Sequence, residues 1–535
     1  MAITETIPAT EADPATTEPE RFVGFPDHDP GGFAGFVGTG DHKALGLAYL
    51  VLSGIFGVGA LALDAAFHAQ QAADYLPKDA IDQVFTLGRV GVVFLFAIPI
   101  FLGLATYLVP LQVGARTLAF PRAAASAFWG WLIGSSLIIA AYAINGGPDG
   151  GAFKGVDLFH VALALVIVSI LIASVSLATT VIALRAPGLH LTRVPLFSWS
   201  VLVAASLWLF TLPVVLANLV LVYLDHHYGS GTAFAADQFG HLAWVFGPPQ
   251  VYVIAIPVLG VVSDVVATMA GARQNQRGLM MAAIGVFGVL SFGAYAQPVF
   301  NPQVWDQALF VGMSVLVLLP VLVATAGWVT TLMNGEPSVQ SPLLFALGAG
   351  VLLLLATLAG ALFAIKPLEL HSSVWADQGA VVPPGSSGVL LLVVGAALLA
   401  AMAGVTFWAT KLLGRFAKEP VARLAALVGV VGGLVAGLPL IVYGFSVKVS
   451  SLADAAKFLN GTSALGTVLL LVSLLLVGMS LVGRNGETPA DDAWGRGQSL
   501  EWATGSPPPA ENFGVLERVE SAEPVLDAAE SEDAS

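Results

Sequence analysis

The sequence contains no cysteine among its 535 residues. That excludes disulfides, iron–sulfur clusters, thioether-attached haem and thiolate copper sites, so any metal would rest on His, carboxylate or Met. Charge is scarce as well. Only 10% of the residues are Asp, Glu, Lys or Arg, against about 25% in soluble globular proteins, which argues against a cytosolic globular enzyme. Basic residues are the rarer sign, and 21 Lys and Arg against 35 Asp and Glu give a formal net charge of −14. The excess acid sits in residues 1–40 and 484–535, leaving the stretch between them close to neutral. No basic footprint for nucleic acid is present.

What the chain has in abundance is apolar sequence, 57% of its residues. A bilayer-spanning helix needs about 20 mostly apolar residues. Windows of that kind recur twelve times, at 44–64, 86–110, 123–144, 158–184, 195–223, 241–268, 279–300, 307–332, 341–365, 387–410, 423–447 and 462–482. The expected fold is therefore all-α, a polytopic membrane protein of twelve transmembrane helices. Residues 1–40 lack a basic stretch followed by an apolar run and read as a disordered acidic tail, not a cleavable signal. Residues 41–483 read as the membrane domain, 484–516 as a separate C-terminal segment and 517–535 as a second disordered acidic tail. Cytoplasmic loops retain Lys and Arg. The even-numbered loops hold ten of them and the odd-numbered loops five, which predicts cytoplasmic termini.

The polar edges of these windows carry a resemblance. Asp41-His42-Lys43-Ala44-Leu45-Gly46 opens the first window, and Tyr107-Leu108-Val109-Pro110, Gly114-Ala115-Arg116 and Ala119-Phe120-Pro121-Arg122 follow the second. Gly146-Gly147-Pro148-Asp149, Arg185-Ala186-Pro187-Gly188 and Pro195-Leu196-Phe197 mark the next connections. His241, Trp244, Phe246-Gly247, Val251-Tyr252 and Pro257 follow, then Trp408, Lys411 and Gly414-Arg415, and finally Leu500-Glu501-Trp502, Ser506-Pro507-Pro508-Pro509 and Asn512-Phe513. In this order they resemble subunit I of the haem–copper oxidases, the core of cytochrome c oxidase, from about Gly38 to Phe513. The resemblance implies a fold that binds two haems and copper, beside subunit II-like or III-like proteins in a respiratory complex of a prokaryotic plasma membrane.

The same alignment shows where this chain departs from the family. The family's Thr-Leu-His-Gly supplies an axial ligand to the low-spin haem, and here the register reads Thr86-Leu87-Gly88-Arg89. The family's Gly-His-Pro-Glu-Val-Tyr, with a copper ligand and a proton-relay acid, reads Gly247-Pro248-Pro249-Gln250-Val251-Tyr252. Its His-His copper pair falls on Gln297 and Pro298, and its Arg-Arg pair for the haem propionates on Leu440 and Ile441. Helix ten of the family carries a His-Phe-His run, whereas Gly388 to Trp408 contains no histidine. The proton-admitting aspartate falls on Thr117 and the proton-path lysine on Ala324. An ionisable group inside a bilayer costs about 2.5–3.5 kcal/mol on insertion scales, so it persists where a function uses it.

His42 and His241 match family positions that ligate nothing and read as structural, and His160 reads as hydrogen-bonded to a neighbouring helix. His68, His226, His227, His241 and His371 fall near the outer face. Three of them meeting would suit a metal, but no supporting carboxylate pattern stands out, so they read as solvated helix ends. Arg89 is expected to pair with Asp64 or to reach outward to the interface. Tyr252, without a histidine partner, reads as a packing residue with an interhelical hydrogen bond. Voids cost about 24 cal/mol per Å³, so the space of lost haems should be filled by side chains such as Phe94, Phe96 and Phe101, with bound lipid or quinone as the alternative. The leading expectation is a subunit without cofactors, catalytic residues or metal. Two alternatives stand beside it: an active terminal oxidase passing electrons from cytochrome c or quinol to O2 through ligands of another kind, and a channel or transporter for a small neutral molecule. Proton conduction is disfavoured by a scarcity of buried acids.

Overall fold

A computed structural model describes residues 35, 37–229, 242, 244–246, 248–295, 308–365, 384–447, 454–483 and 489–533. Two compact units divide the chain, Met1–Thr39 and Gly40–Ser535, and the helices described below belong to the second. Twelve of them are long and apolar enough to cross a membrane. They are α1 (His42–Ala73), α2 (Ala80–Gln112), α3 (Pro121–Ala143), α4 (Phe153–Ala183), α5 (Leu196–Tyr228), α6 (Pro249–Ala270), α7 (Arg277–Ala294), α8 (Val311–Asn334), α9 (Ser341–Ala364), α10 (Pro384–Phe407), α11 (Glu419–Gly444) and α12 (Ala456–Ser480). The twelve expected spans are all present, and the protein is a multi-pass integral membrane protein.

Local sequence explains where the helices begin, end and bend. The Asp41 side chain accepts from Lys43 N at 3.0 Å and so caps α1, satisfying a backbone donor that the helix itself leaves free. At the other end Asp74 takes a left-handed conformation and its N–H closes on Gln70 O, as helix C-termini do. Within α2, residues Gly91–Ala97 form a π-helical stretch, and the Ile98 N–H reaches back to Val93 O. Pro99 follows directly. Its missing N–H and its ring disrupt the ordinary ladder, and the wider turn absorbs the break.

Three helices form the interior. The most apolar stretches of α2, α6 and α10 are 100%, 94% and 89% buried, whereas α1, α3, α5, α8 and α12 bury 39% of theirs. Around these, α3 packs on α4, α4 on α5 and α5 on α6, while α9, α10, α11 and α12 follow one another and α12 returns to α1. Interior helices need small residues where backbones meet. At Gly388 of α10 a Cβ would stand 2.7 Å from Gly437 O and 2.8 Å from Ile441 N, so α10 and α11 touch through their main chains.

The C-terminal segment lies across the ends of the helices that hold Asp41. Lys43 Nζ donates to the carbonyls of Pro509 and Ala510 at 3.2 and 3.0 Å, and Asn512 Nδ2 donates to Ala115 O at 2.9 Å. His42 Nδ1 donates to Thr106 O at 3.1 Å, which leaves Nε2 to accept from Asn512 Nδ2 at 2.9 Å. One expectation is corrected beyond this point. Within 517–535, expected to be a disordered acidic tail, Pro524–Asp533 forms a helix, α13. Arg273 anchors it through Glu523, Asp527 and Glu530 at 2.8, 2.5 and 2.9 Å. The acids that read as tail composition serve as partners for this one guanidinium.

Candidate functional site in the bundle interior

Gly88 occupies a buried position on α2 facing α1. A Cβ there would make ordinary van der Waals contact with Leu63 Cβ at 3.6 Å and Asp64 N at 3.7 Å on α1. The next residue, Arg89, is buried at 5% exposure. Its guanidinium donates to Ser387 Oγ of α10 at 2.8 Å and lies over the Phe85 ring, 5.1 Å from the centroid. It neither reaches the interface nor forms a direct ion pair with Asp64. Asp64 remains within electrostatic reach of it.

Asp64 itself belongs to a buried polar cluster between α1, α2, α10 and α12. Its Oδ2 lies 3.8 Å from His68 Nε2 and accepts a long hydrogen bond of 3.4 Å from Thr467. His68 Nδ1 meets Asn460 Oδ1 at 3.2 Å. Charges in low dielectric need such company. Contrary to the expectation of a solvated helix end, His68 is 2% exposed, because α12 covers that face of α1.

The other family positions fall as follows. Gln250 is fully buried in α6, and among the described residues neither its amide oxygen nor its nitrogen has a hydrogen-bond partner. Pro248 lies at the start of the same helix. Leu440 is buried on α11, and Ile441 is half-buried beside Gly388. Ala324 is buried on α8, while Thr117 is exposed between α2 and α3. His241, Gln297, Pro298 and His371 lie outside the described residues. The residues present do not fit the groups that the resemblance implies. Gly88, Leu440, Ile441 and Ala324 carry no side-chain donor atom, α10 offers no imidazole, and iron and copper in such sites are held by imidazole nitrogen.

Aromatic side chains crowd the same interior. Phe94, Phe96 and Phe101 are all buried. The Phe96 ring sits against Gly57, where a Cβ would come within 2.4 Å of it, and Phe94 packs edge-on against Phe246 at 5.8 Å between centroids. Tyr252 packs against Phe287 of α7 at 5.9 Å. Among the described residues its hydroxyl makes no hydrogen bond, contrary to expectation. His160 corrects expectation in the same way. It is buried, but both ring nitrogens are unpartnered, because its neighbours Phe159, Tyr223 and His226 present rings to it.

Sequence reasoning missed a second buried cluster at the α13 side. Gln112 Nε2 donates both to Asp264 Oδ2 at 3.2 Å and to Glu501 Oε1 at 3.1 Å, while Ser198 Oγ donates to Gln112 Oε1 at 2.7 Å. Asp264 also accepts from Leu196 N and Phe197 N at 3.0 and 3.1 Å. It therefore caps the N-terminus of α5, where a carboxylate is favoured. A small surface cleft borders the pair, lined among others by Arg277, Gln498 and Glu523. Burial pushes the Glu501 carboxyl above its ordinary pKa. Buried acids are thus less scarce than the sequence suggested: Asp64, Asp225, Glu501 and Glu523 are buried, and Asp264 is half-buried. The signal for Asp264 was its position as the lone acid in an apolar window, and Glu501 lay inside the Leu-Glu-Trp motif.

Comparison with known proteins bears on the whole span. Residues 44–478 match the family described as Cytochrome C and Quinol oxidase polypeptide I. A probable cytochrome c oxidase subunit 1-beta of Nocardia farcinica is 31% identical over 92% of this chain and 87% of its own length. A probable cytochrome c oxidase subunit 1-alpha of Streptomyces coelicolor is 32% identical over 91% of this chain and 88% of its own. A cytochrome c oxidase subunit 1 of Corynebacterium diphtheriae is 30% identical, covering 91% of each chain. A solved heme-copper terminal oxidase dimer shares the fold, with a TM-score of 0.64 and 14% identity over 92% of this chain and 89% of that one.

Proposed function

The chain belongs to the cytochrome c and quinol oxidase polypeptide I family, and from that premise we propose that it is a member without haem or copper, acting as a structural or interaction subunit of a respiratory complex. The observation that carries this reading is at Gly88 and Arg89. The ligand position has no side chain and faces the α1 backbone, and the residue beside it spans instead to Ser387 of α10. The close contact of Gly388 with Gly437 and the burial of Phe94 and Phe96 support an interior filled by protein rather than by lipid or quinone. The proposed setting is a prokaryotic plasma membrane with both termini cytoplasmic, on the weight of Lys and Arg in the even-numbered loops. The proposed partners are subunit II-like or III-like proteins.

A second reading, an active terminal oxidase, is favoured by the names of the relatives. One measurement separates the two. The purified chain, reduced with dithionite, is expected to show no Soret band and no pyridine haemochrome. Stoichiometric haem in the isolated subunit overturns the proposal and restores the oxidase.

A further inference from the structure

The facing ends of α4 and α5, far along both helices from the C-terminal cap, bring together Asp157, His160, His226 and His227. Asp157 holds one ring on each carboxylate oxygen: Nδ1 of His226 lies 2.9 Å from Oδ1, and Nδ1 of His227 lies 2.7 Å from Oδ2. A carboxylate only accepts hydrogen bonds, so in neutral rings both Nδ1 atoms carry the proton and both Nε2 atoms carry the lone pair. A carboxylate on one ring nitrogen is how metal-ligating histidines are oriented. Aromatic faces restrict the rings further. Phe153 stacks on His226 at 4.6 Å and Tyr223 on His227 at 5.5 Å.

His160 completes the pattern. It lies on the same helix as Asp157, one turn along, is 1% exposed, and both of its ring nitrogens lack partners. A buried polar group left unsatisfied is destabilising, and a carboxylate clamp on the two neighbouring histidines does nothing to relieve it. A ligand on its nitrogen would. The His160 and His226 ring centroids are 6.0 Å apart. With metal–nitrogen bonds of about 2.0–2.1 Å, a ligating ring keeps its centroid about 3.2 Å from the metal. Two such rings at the observed separation subtend an angle of about 140° at a shared ion, and a small rotation of either narrows it toward tetrahedral.

We propose that His160 and His226 form a binding site for a divalent transition metal of the imidazole-preferring class, Zn²⁺ or Cu²⁺, with Asp157 as the residue that positions His226. Among the described residues no group of three or more His, Asp or Glu converges tightly enough to enclose an ion. The site is therefore a two-imidazole one whose remaining positions are open to water. It is independent of the interior positions discussed above and goes beyond the proposed function.

The test is titration of the full-length chain, purified without a histidine tag, with Zn²⁺ by calorimetry and with Cu²⁺ by electron paramagnetic resonance. Saturable binding of about one equivalent with nitrogen hyperfine structure is expected. His160→Gln and His226→Gln should each weaken it at least tenfold, and Asp157→Asn by about 10–100-fold through the lost orientation. Absence of saturable binding in the unsubstituted chain overturns the proposal, as does wild-type affinity in His160→Gln. Should His160→Gln not fold, His226→Gln, at a partly exposed ring, carries the same decision. Haem content is read by a separate assay on the unsubstituted chain, so failure here and failure of the cofactor-free reading are told apart.

Discussion

Arg89 Nη2 donates a 2.8 Å hydrogen bond to Ser387 Oγ, joining α2 to α10 one residue beyond Gly88. The bond ties the Gly88 region of α2 directly to the start of α10. Within the cluster Arg89 supplies the positive charge facing Asp64, and removing one member of a buried charged group strands the other. Arg89→Met is therefore expected to destabilise the protein by about 3–5 kcal/mol. Asp64→Asn in the same chain should recover part of that loss, because the stranded carboxylate is then neutral. Thermal unfolding followed by tryptophan fluorescence in detergent reads both. Equal stability of the single and double variants would mean that the two side chains are not coupled.

Gln250 offers the opposite case. Its amide is fully buried with no partner for either terminal atom among the described residues. Replacing an unsatisfied buried polar group by an apolar one of similar volume removes a desolvation cost of about 1–3 kcal/mol. Gln250→Met is expected to raise the unfolding temperature. A drop instead would show that the purified protein holds a hydrogen-bonding molecule at this amide.

How much of this was legible beforehand depends on the range of the interaction involved. Twelve spans follow from composition along the chain, since each helix needs only its own apolar residues to satisfy a bilayer. The residue types at Gly88, Gln250, Leu440 and Ile441 are read from the sequence, since the expected ligand roles are a matter of residue type at a register position. The state of His68, His160 and Asp264 was not legible. A histidine at the end of an apolar window has the same local sequence whether solvent or α12 covers it, and Asp157 and His226 are brought together only by the packing of α4 on α5. The acidic C-terminus misled for a related reason. Its composition is that of a disordered segment, and only the docking of Glu523, Asp527 and Glu530 on Arg273, 250 and more residues away, gives it structure.

That docking is electrostatic and largely exposed. Arg273 has 43% of its side chain accessible, so each of its pairs contributes under about 1 kcal/mol and weakens with salt. Arg273→Ala should leave the unfolding temperature of the membrane domain nearly unchanged. It should speed amide exchange across residues 524–533, as should raised salt in the unsubstituted chain. The hydroxyl of Ser521, then Arg273, hold the Asp527 carboxyl below its ordinary pKa. The contribution is accordingly present above the ordinary aspartate range and is lost as pH falls through the lowered value. Hydrogen exchange by mass spectrometry at pH 7 and pH 3, corrected for the intrinsic rate, should show protection of α13 only at the higher pH.

The last expectation concerns two buried groups of opposite sign at the C-terminal cap, Glu501 and Lys411. Burial raises the Glu501 carboxyl, and its Oε1 accepts from Gln112 at 3.1 Å and from Trp408 at 3.4 Å. Burial likewise pulls the Lys411 ammonium down to about 8, against the attraction of Glu501, Asp491 and Asp492. Lys411 Nζ donates to Asp491 O at 2.7 Å and to Thr504 O, and lies 5.4 Å from the Trp502 ring centroid. For Glu501 the folded state holds its proton more tightly than the unfolded chain, so stability falls as pH rises from the ordinary glutamate value to the raised one. For Lys411 the unfolded chain binds the proton more tightly, so stability rises between about pH 8 and the ordinary lysine value of 10.5. Unfolding temperatures from pH 4 to 10.5 should therefore pass through a shallow minimum. Glu501→Gln should flatten the acid limb and Lys411→Met the alkaline one, each leaving the other limb in place. A profile that keeps its acid limb in Glu501→Gln would assign the titration to another buried carboxyl of the cap.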